Sequence, residues 1–335
     1  MNHESRAFYY STLFITLIAF IVILLGAYTR LKDAGLSCPH WPSCHGQFIS
    51  SKTSMAWIRA NHLYPEPLMQ QNKEQLEMTH RYFAGSLGLL IFLLFILALI
   101  QRRHNPKQPV WIPILLIILV LFQAALGMWT VKWKLYPPVV MGHLLGGMTI
   151  VSLLWWLALK TKPYSYALKP PANKLRFWAI LGLIIVATQI FLGGWTSANY
   201  AGLACPHFPL CYGSLFPKMD FKTAFNFFIP IGQNYDGGFL DITARITIQM
   251  FHRYGGFITL IYVSLLSLYL LFNKTIPHFR SLGGFMLITL LAQITLGAIN
   301  IKKLLPSGNA LAHNAVATLL LLTIVTLVYY CYQKE

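Results

Sequence analysis

The chain contains eight apolar stretches, and this pattern restricts the possible fold more than any other feature of the sequence. Each is about 20 residues long, enough to cross the roughly 30 Å hydrocarbon core of a bilayer as a helix. Composition agrees, because 56% of the residues are hydrophobic and only 10% are charged, whereas soluble domains carry about 25% charged residues. The predicted spans are 10–28, 79–100, 110–131, 140–159, 175–197, 250–272, 282–301 and 310–330.

Two parts of the chain repeat each other, which predicts a duplicated fold. Residues 34–46 read AGLSCPHWPSCHG and residues 201–213 read AGLACPHFPLCYG, so nine of thirteen positions are identical. Across further matches the offset stays between 167 and 172. We therefore predict an all-α integral membrane protein of two homologous four-helix bundles, residues 1–165 and 166–335. Because four spans return the chain to its starting side, a pseudo-twofold axis along the membrane normal should relate the bundles.

The formal net charge of +17 indicates membrane topology rather than a nucleic-acid partner. Basic loops orient membrane proteins and contact anionic lipid. The loop after the second span (Arg102, Arg103 and Lys107) and the link Lys160–Lys174 are both basic. The positive-inside rule places them, and both termini, on the cytoplasmic side of a bacterial inner membrane. The first span is interpreted as a helix, since it is too long for a signal peptide and has a repeat partner.

Four histidines occupy matching places near the start of the even-numbered spans, and all four should lie near the outer face. Ionisable groups within a membrane are rare and usually functional, and imidazole is a common axial ligand of haem iron. A four-helix bundle can aim two such residues at each other across its interior. We therefore predict a bis-histidine haem site in each half, in preference to isolated hydrogen-bonding histidines or a zinc site. The histidines are His80, His143, His252 and His313.

Arg81 and Arg253 directly follow the first histidine of each half. Two functions remain open from the sequence. Arginine pairs well with carboxylates, so these residues could bind haem propionates. They could equally extend towards lipid headgroups.

The cysteines of the outer loops are paired in sequence, as Cys38 with Cys44 and Cys205 with Cys211. In an oxidising compartment this spacing favours two local disulfides, in preference to free thiols or a metal site with His40 or His45. Cys331, near the inner end of the last span, is interpreted as an inert thiol.

One position breaks the symmetry of the repeat. Glu77 lies three residues before His80, on the same helical face, whereas the matching residue before His252 is Gln249. A carboxylate beside a reacting centre can move protons or stabilise positive charge. The simpler interpretation is an ion pair between Glu77 and Arg81. Gln123, Gln189 and Gln293, each four residues before a glycine, are predicted to make interhelical hydrogen bonds.

Taken together, these residues resemble the haem A synthase family, and the resemblance covers essentially the whole chain. It rests on the two homologous halves, the ExxH of Glu77 and His80, the HR at His252, the partner histidines His143 and His313, and the cysteine pairs. The resemblance implies haem b on His252 and His313, with haem O as substrate near His80 and His143. It also implies a catalytic Glu77, oxidation of a porphyrin methyl group to a formyl group, and partnership with haem O synthase and cytochrome oxidase.

Two other functions remain open from the residues alone. A di-haem b-type cytochrome that only transfers electrons would usually carry two histidines on each of two helices, with haems near opposite faces. A haem transporter or chaperone could use the same pockets without chemistry, although the difference between Glu77 and Gln249 speaks against two equivalent halves. The sequence allows a homo-oligomer without indicating one.

Overall fold

The computed structural model describes residues 3–44, 71–163 and 173–333. Within these ranges, eight helices are long and apolar enough to cross a membrane, which confirms the predicted all-α multi-pass fold. An isolated bridge joins Cys211 and Ser214. The eight helices are α1 (His3–Leu31), α2 (Gln71–His104), α3 (Trp111–Lys132), α4 (Pro137–Thr161), α5 (Asn173–Ala198), α6 (Ile242–Phe272), α7 (Arg280–Lys302) and α8 (Ser307–Tyr332).

Helices α2 and α6 begin earlier than the apolar stretches predicted. Helix α6 begins at Ile242, where the side chain of Asp241 accepts a hydrogen bond from the backbone N–H of Ala244 and so caps the helix. The added turns are more polar than the spans, so hydrophobicity alone does not find them. As a result, His80 and His252 lie well inside their helices.

The helices of each half pack in a closed ring. In the first half the contacts run from α1 to α2, α3, α4 and back to α1; in the second they run from α5 to α6, α7, α8 and back to α5. Helices α2 and α4 are therefore diagonal partners, as are α6 and α8. This matters because each diagonal pair carries the two histidines of one half.

The halves contact each other through α1, α4, α5 and α8. In the repeat, α1 is equivalent to α5 and α4 is equivalent to α8. The contact of α1 with α8 therefore corresponds to the contact of α5 with α4, and the presence of both agrees with the predicted twofold relation. The indole N–H of Trp155 donates to Thr326 across this interface, with a distance of 2.8 Å. The axis itself and the division near residue 165 stay predictions, since most of the link lies outside the described residues.

Where α1 ends, it contacts the end of α5 and the start of the loop between α5 and α6. Arg30 lies over the ring of Tyr200, 3.9 Å from its centroid, and donates to the carbonyl oxygen of Ser197 at 2.7 Å. Burial raises the pKa of Tyr200 to about 12. Its hydroxyl therefore stays protonated at neutral pH and donates a hydrogen bond to Asp236.

Candidate functional site

Each of the four histidines packs against a glycine of the preceding helix. A Cβ atom added at any of these glycines would lie 2.9–3.3 Å from Cε1 of the histidine ring. At that distance a larger residue would press on the ring, so the glycines let the imidazoles lie close to the neighbouring backbone. The repeat already contained these glycines, but their contact with the histidines was not predicted. The pairs are Gly26–His80, Gly127–His143, Gly193–His252 and Gly297–His313.

In the first half, His80 and His143 face each other across the bundle. Their ring centroids are 6.4 Å apart and the ring planes are nearly perpendicular, at 87°. Both Nδ1 atoms are buried and have no hydrogen-bond partner in the described part of the chain. Two metal–nitrogen bonds of about 2 Å each, together with the half-widths of the two rings, account for this separation. The separation of the two rings therefore suits one metal ion bound between them, as the predicted haem site requires.

In the second half, His252 and His313 lie on the diagonal helices α6 and α8. Each also contacts a glutamine amide. Nε2 of Gln189 lies 3.1 Å from Nδ1 of His252 and donates to its backbone carbonyl at 3.0 Å. Nε2 of Gln293 lies 3.2 Å from Nε2 of His313. The predicted interhelical contacts are therefore present for Gln189 and Gln293, and their partners are the candidate ligands themselves. For Gln123, Nε2 has no hydrogen-bond partner among the described residues.

Arg81 organises the first cysteine loop. Its guanidinium donates to the carbonyl oxygens of His40 at 2.7 Å, Ser43 at 3.0 Å and Cys38 at 3.2 Å. It also pairs with the Glu77 carboxylate at 2.5 Å. The predicted ion pair is present, and the arginine additionally holds the loop against α2, a contact that sequence reasoning missed.

Arg253 repeats this arrangement in the second half. It donates to the carbonyl oxygens of Cys205 at 2.6 Å, His207 at 2.8 Å and Leu210 at 3.1 Å. The guanidinium is thus directed at the loop. Binding of haem propionates by Arg81 and Arg253 stays a prediction.

Both predicted disulfides are present. Cys38 and Cys44 are bonded with Cα atoms 4.7 Å apart, and Cys205 and Cys211 with Cα atoms 4.9 Å apart. Each disulfide packs on the methionine that precedes a site histidine by two positions, Met78 or Met250. Cys331 is a buried free thiol, and His45 lies outside the described residues.

Glu77 connects the first histidine helix to its disulfide loop. It is 4% exposed, and its Oε2 accepts a hydrogen bond of 2.8 Å from the backbone N–H of Cys38. Its counterpart Gln249 is 3% exposed, and Oε1 of that amide has no hydrogen-bond partner among the described residues. The two halves therefore differ here in charge and also in how the loop is attached.

Comparison with known proteins decides the family. A family model described as "Cytochrome oxidase assembly protein" (COX15-CtaA) matches residues 9–325. The chain belongs to this family. It is 42% identical over 316 residues to a protein of Shewanella oneidensis named heme A synthase, covering 94% of each chain. Proteins with the same name from Bacillus cereus and Bacillus anthracis are 28% identical over 198 residues, 57% of each chain. The family that the sequence motifs resembled is thereby confirmed.

Proposed function

We propose that this chain is a haem A synthase, an oxidoreductase that converts a methyl group on the porphyrin ring of haem O to a formyl group. The observation that carries the proposal is the difference between two otherwise matching sites. His80 and His143 face each other with a carboxylate, Glu77, on the same helix, whereas His252 has Gln249 in that place. The name of the 42% identical relative supports the same activity.

In the second half, we propose that His252 and His313 would hold the iron of haem b. Their positions on diagonal helices, each ring against a glycine, suit a planar group that lies between α6 and α8. When bound, haem b supplies one-electron redox chemistry. The chain's own contribution is to fix the two imidazoles, through Gly193 and Gly297 and through the amides of Gln189 and Gln293.

In the first half, His80 and His143 would hold the iron of the substrate and fix its porphyrin ring within the bundle. Conversion of the methyl group to a formyl group adds one oxygen atom and removes two hydrogen atoms. Electrons leave the methyl carbon during this four-electron oxidation, for which an electron acceptor and an oxygen source must come from outside the chain. A fixed negative charge nearby stabilises the electron-poor carbon. Glu77 supplies such a charge, and Arg81 and the N–H of Cys38 hold its carboxylate in place.

The proposed setting is a bacterial inner membrane, with both termini in the cytoplasm and the haem sites near the outer face. The basic loops support this orientation. The two disulfides support it too, because they would then lie on the oxidising side. Haem O synthase would supply the substrate, and cytochrome oxidase would receive haem A.

The direct test is to produce the chain together with haem O synthase in cells that lack their own haem A synthase, and to extract the haem. Haem A is expected in the extract, and only haem O when the chain is omitted. Exclusive recovery of haem b and unchanged haem O would contradict the proposal. That outcome would favour an electron-transferring cytochrome or a haem carrier instead.

A further inference from the structure

The second half contains a contact that the first half lacks, at the imidazole of its first histidine. In the second half, the Gln189 amide touches Nδ1 of His252. The repeat places Val22 at the equivalent position, four residues before Gly26 as Gln189 is before Gly193. The valine side chain offers no hydrogen-bonding group, so the hydrogen bond between His80 and residue 22 involves the valine backbone instead.

The room for the Gln189 amide differs between the halves in the same way. A Cβ atom on Gly255 would lie 2.3 Å from Oε1 of Gln189, so only glycine admits the amide there. In the first half the equivalent residue, three positions after His80, is Phe83. Two positions on different helices, α5 and α6, therefore differ together between the halves, which indicates a built contact rather than an isolated substitution.

The Gln189 amide can donate a hydrogen bond to Nδ1 of His252 when that atom has no proton, and can accept one when it has a proton. A metal ion on Nε2 leaves the proton of a neutral imidazole on Nδ1, and that proton needs an acceptor. Oε1 of Gln189 is buried and has no hydrogen-bond partner among the described residues. It is therefore available to accept from Nδ1 when His252 binds a metal.

We infer that Gln189 is a positioning residue that fixes the His252 imidazole on its metal, and that Val22 leaves His80 without this restraint. The inference rests on the proposed function. It assigns the resident haem to the half whose first histidine is held by a side chain. The haem that must enter and leave is assigned to the half whose first histidine has no side-chain partner of this kind.

The test is Gln189→Val, which gives the second half the residue of the first. Loss of a group that orients a metal ligand typically lowers metal affinity by about 10–100-fold. Purified, haem-loaded protein in detergent is mixed with excess apomyoglobin, and haem b transfer is followed by absorbance. Transfer is expected to be about 10–100-fold faster than in the unmodified chain. Thr188→Val is the matched control, because Thr188 is the exposed neighbour on the same helix and should leave the rate unchanged.

A second variant separates positioning from folding. Gln189→Glu keeps an acceptor for the Nδ1 proton and makes the imidazole a stronger donor to the iron, so haem b should be retained and its reduction potential should fall. If Gln189→Val transfers haem b at the same rate as the control, the inference is overturned but the proposed function is not. Loss of haem from both variants to the same extent also overturns it, since it indicates packing. An unmodified chain that binds no haem overturns the proposed function as well.

The reverse exchange tests the first half. Val22→Gln combined with Phe83→Gly introduces both parts of the contact beside His80. More haem should then remain bound per chain after purification, with slower transfer to apomyoglobin from the first half. An unchanged amount of bound haem would show that the side-chain contact does not determine which haem is exchanged.

Discussion

At the scale of single residues, Glu77 and Arg81 show how a buried ion pair can serve two purposes. A carboxylate in a low-dielectric setting is stable only with partners, and Glu77 has both a guanidinium and a backbone N–H. The same guanidinium fixes the loop above the site. The pair therefore joins the loop and the histidine helix at the place where we propose that oxidation occurs.

Glu77→Gln should keep the fold and haem b but lose most of the haem A output. The size of the side chain is nearly unchanged, and the second half already has a glutamine, Gln249, at the equivalent position. What is lost is a preorganised charge, which typically costs about 10²–10³ in rate. The measurement is the ratio of haem O and hydroxylated haem to haem A in extracts. Near-normal haem A would leave Glu77 as only the ion-pair partner of Arg81.

Arg253→Lys should loosen the second disulfide loop. A lysine ammonium cannot reproduce the planar set of donors that reaches the carbonyl oxygens of Cys205, His207 and Leu210. Buried acceptors left without a donor cost about 1–3 kcal/mol. We expect a lower thermal midpoint in detergent and faster reduction of Cys205–Cys211 by a mild reductant. Arg280→Lys, at an exposed arginine, is the control and should change neither.

At the scale of elements, the histidines depend on close approach of paired helices. Each imidazole lies against a glycine of the helix before it, so the position of the ring is set by α1, α3, α5 or α7 as well as by its own helix. Glycine within a helix costs about 1 kcal/mol relative to alanine. Its presence at four equivalent contacts indicates that this cost is offset by ring placement.

Gly193→Ala tests this dependence. Helix propensity alone would make the variant slightly more stable, yet the added methyl would lie 3.0 Å from Cε1 of His252. We expect displacement of the ring and weaker binding of haem b, by about 10-fold if the effect resembles loss of an orienting contact. The low-spin absorption of the purified protein measures it.

Gly85→Ala is the matched control for Gly193→Ala. A Cβ at Gly85 would meet no atom within 4 Å outside its own helix, so only helix propensity changes there. Equal spectra for the two alanine variants would contradict a steric role for Gly193.

At the scale of the whole molecule, each ring of four helices contains its own site. The two rings contact each other through α1, α4, α5 and α8. Separate sites allow one half to retain a cofactor while the other exchanges its substrate. The loop between α5 and α6 of the second half also contacts the first half, since the N–H of Tyr235 donates to the carbonyl of Lys134 at 3.0 Å.

His252→Ala, or His313→Ala, should remove most of the low-spin haem b absorption and leave the helical content intact. The physical reason is that each histidine is one of only two protein ligands proposed for that iron, while the packing of the eight helices does not depend on the ring. Absorption and circular dichroism spectra of purified protein measure the two effects. Survival of the low-spin spectrum in both single variants would show that the haem b assignment is wrong.

The membrane fold, the duplication and the residues that could carry chemistry were all predictable from the amino-acid sequence. These follow from local properties: the length of an apolar run, the identity of repeated segments, and the chemistry of His80, Glu77 or a cysteine pair. The disulfides were predictable too, because a short spacing between Cys38 and Cys44 leaves few alternatives once the compartment is oxidising.

The contacts that these residues make became known from the packing of the helices. Hydrophobicity could not show that α2 and α6 continue into polar turns, or that Arg81 and Arg253 face loop carbonyls. The contacts of Gln189 with His252, and of each histidine with a glycine, join helices that are distant in sequence. Which diagonal helices meet is set by the packing of all eight, because pairing depends on the summed fit of many side chains and not on any one motif.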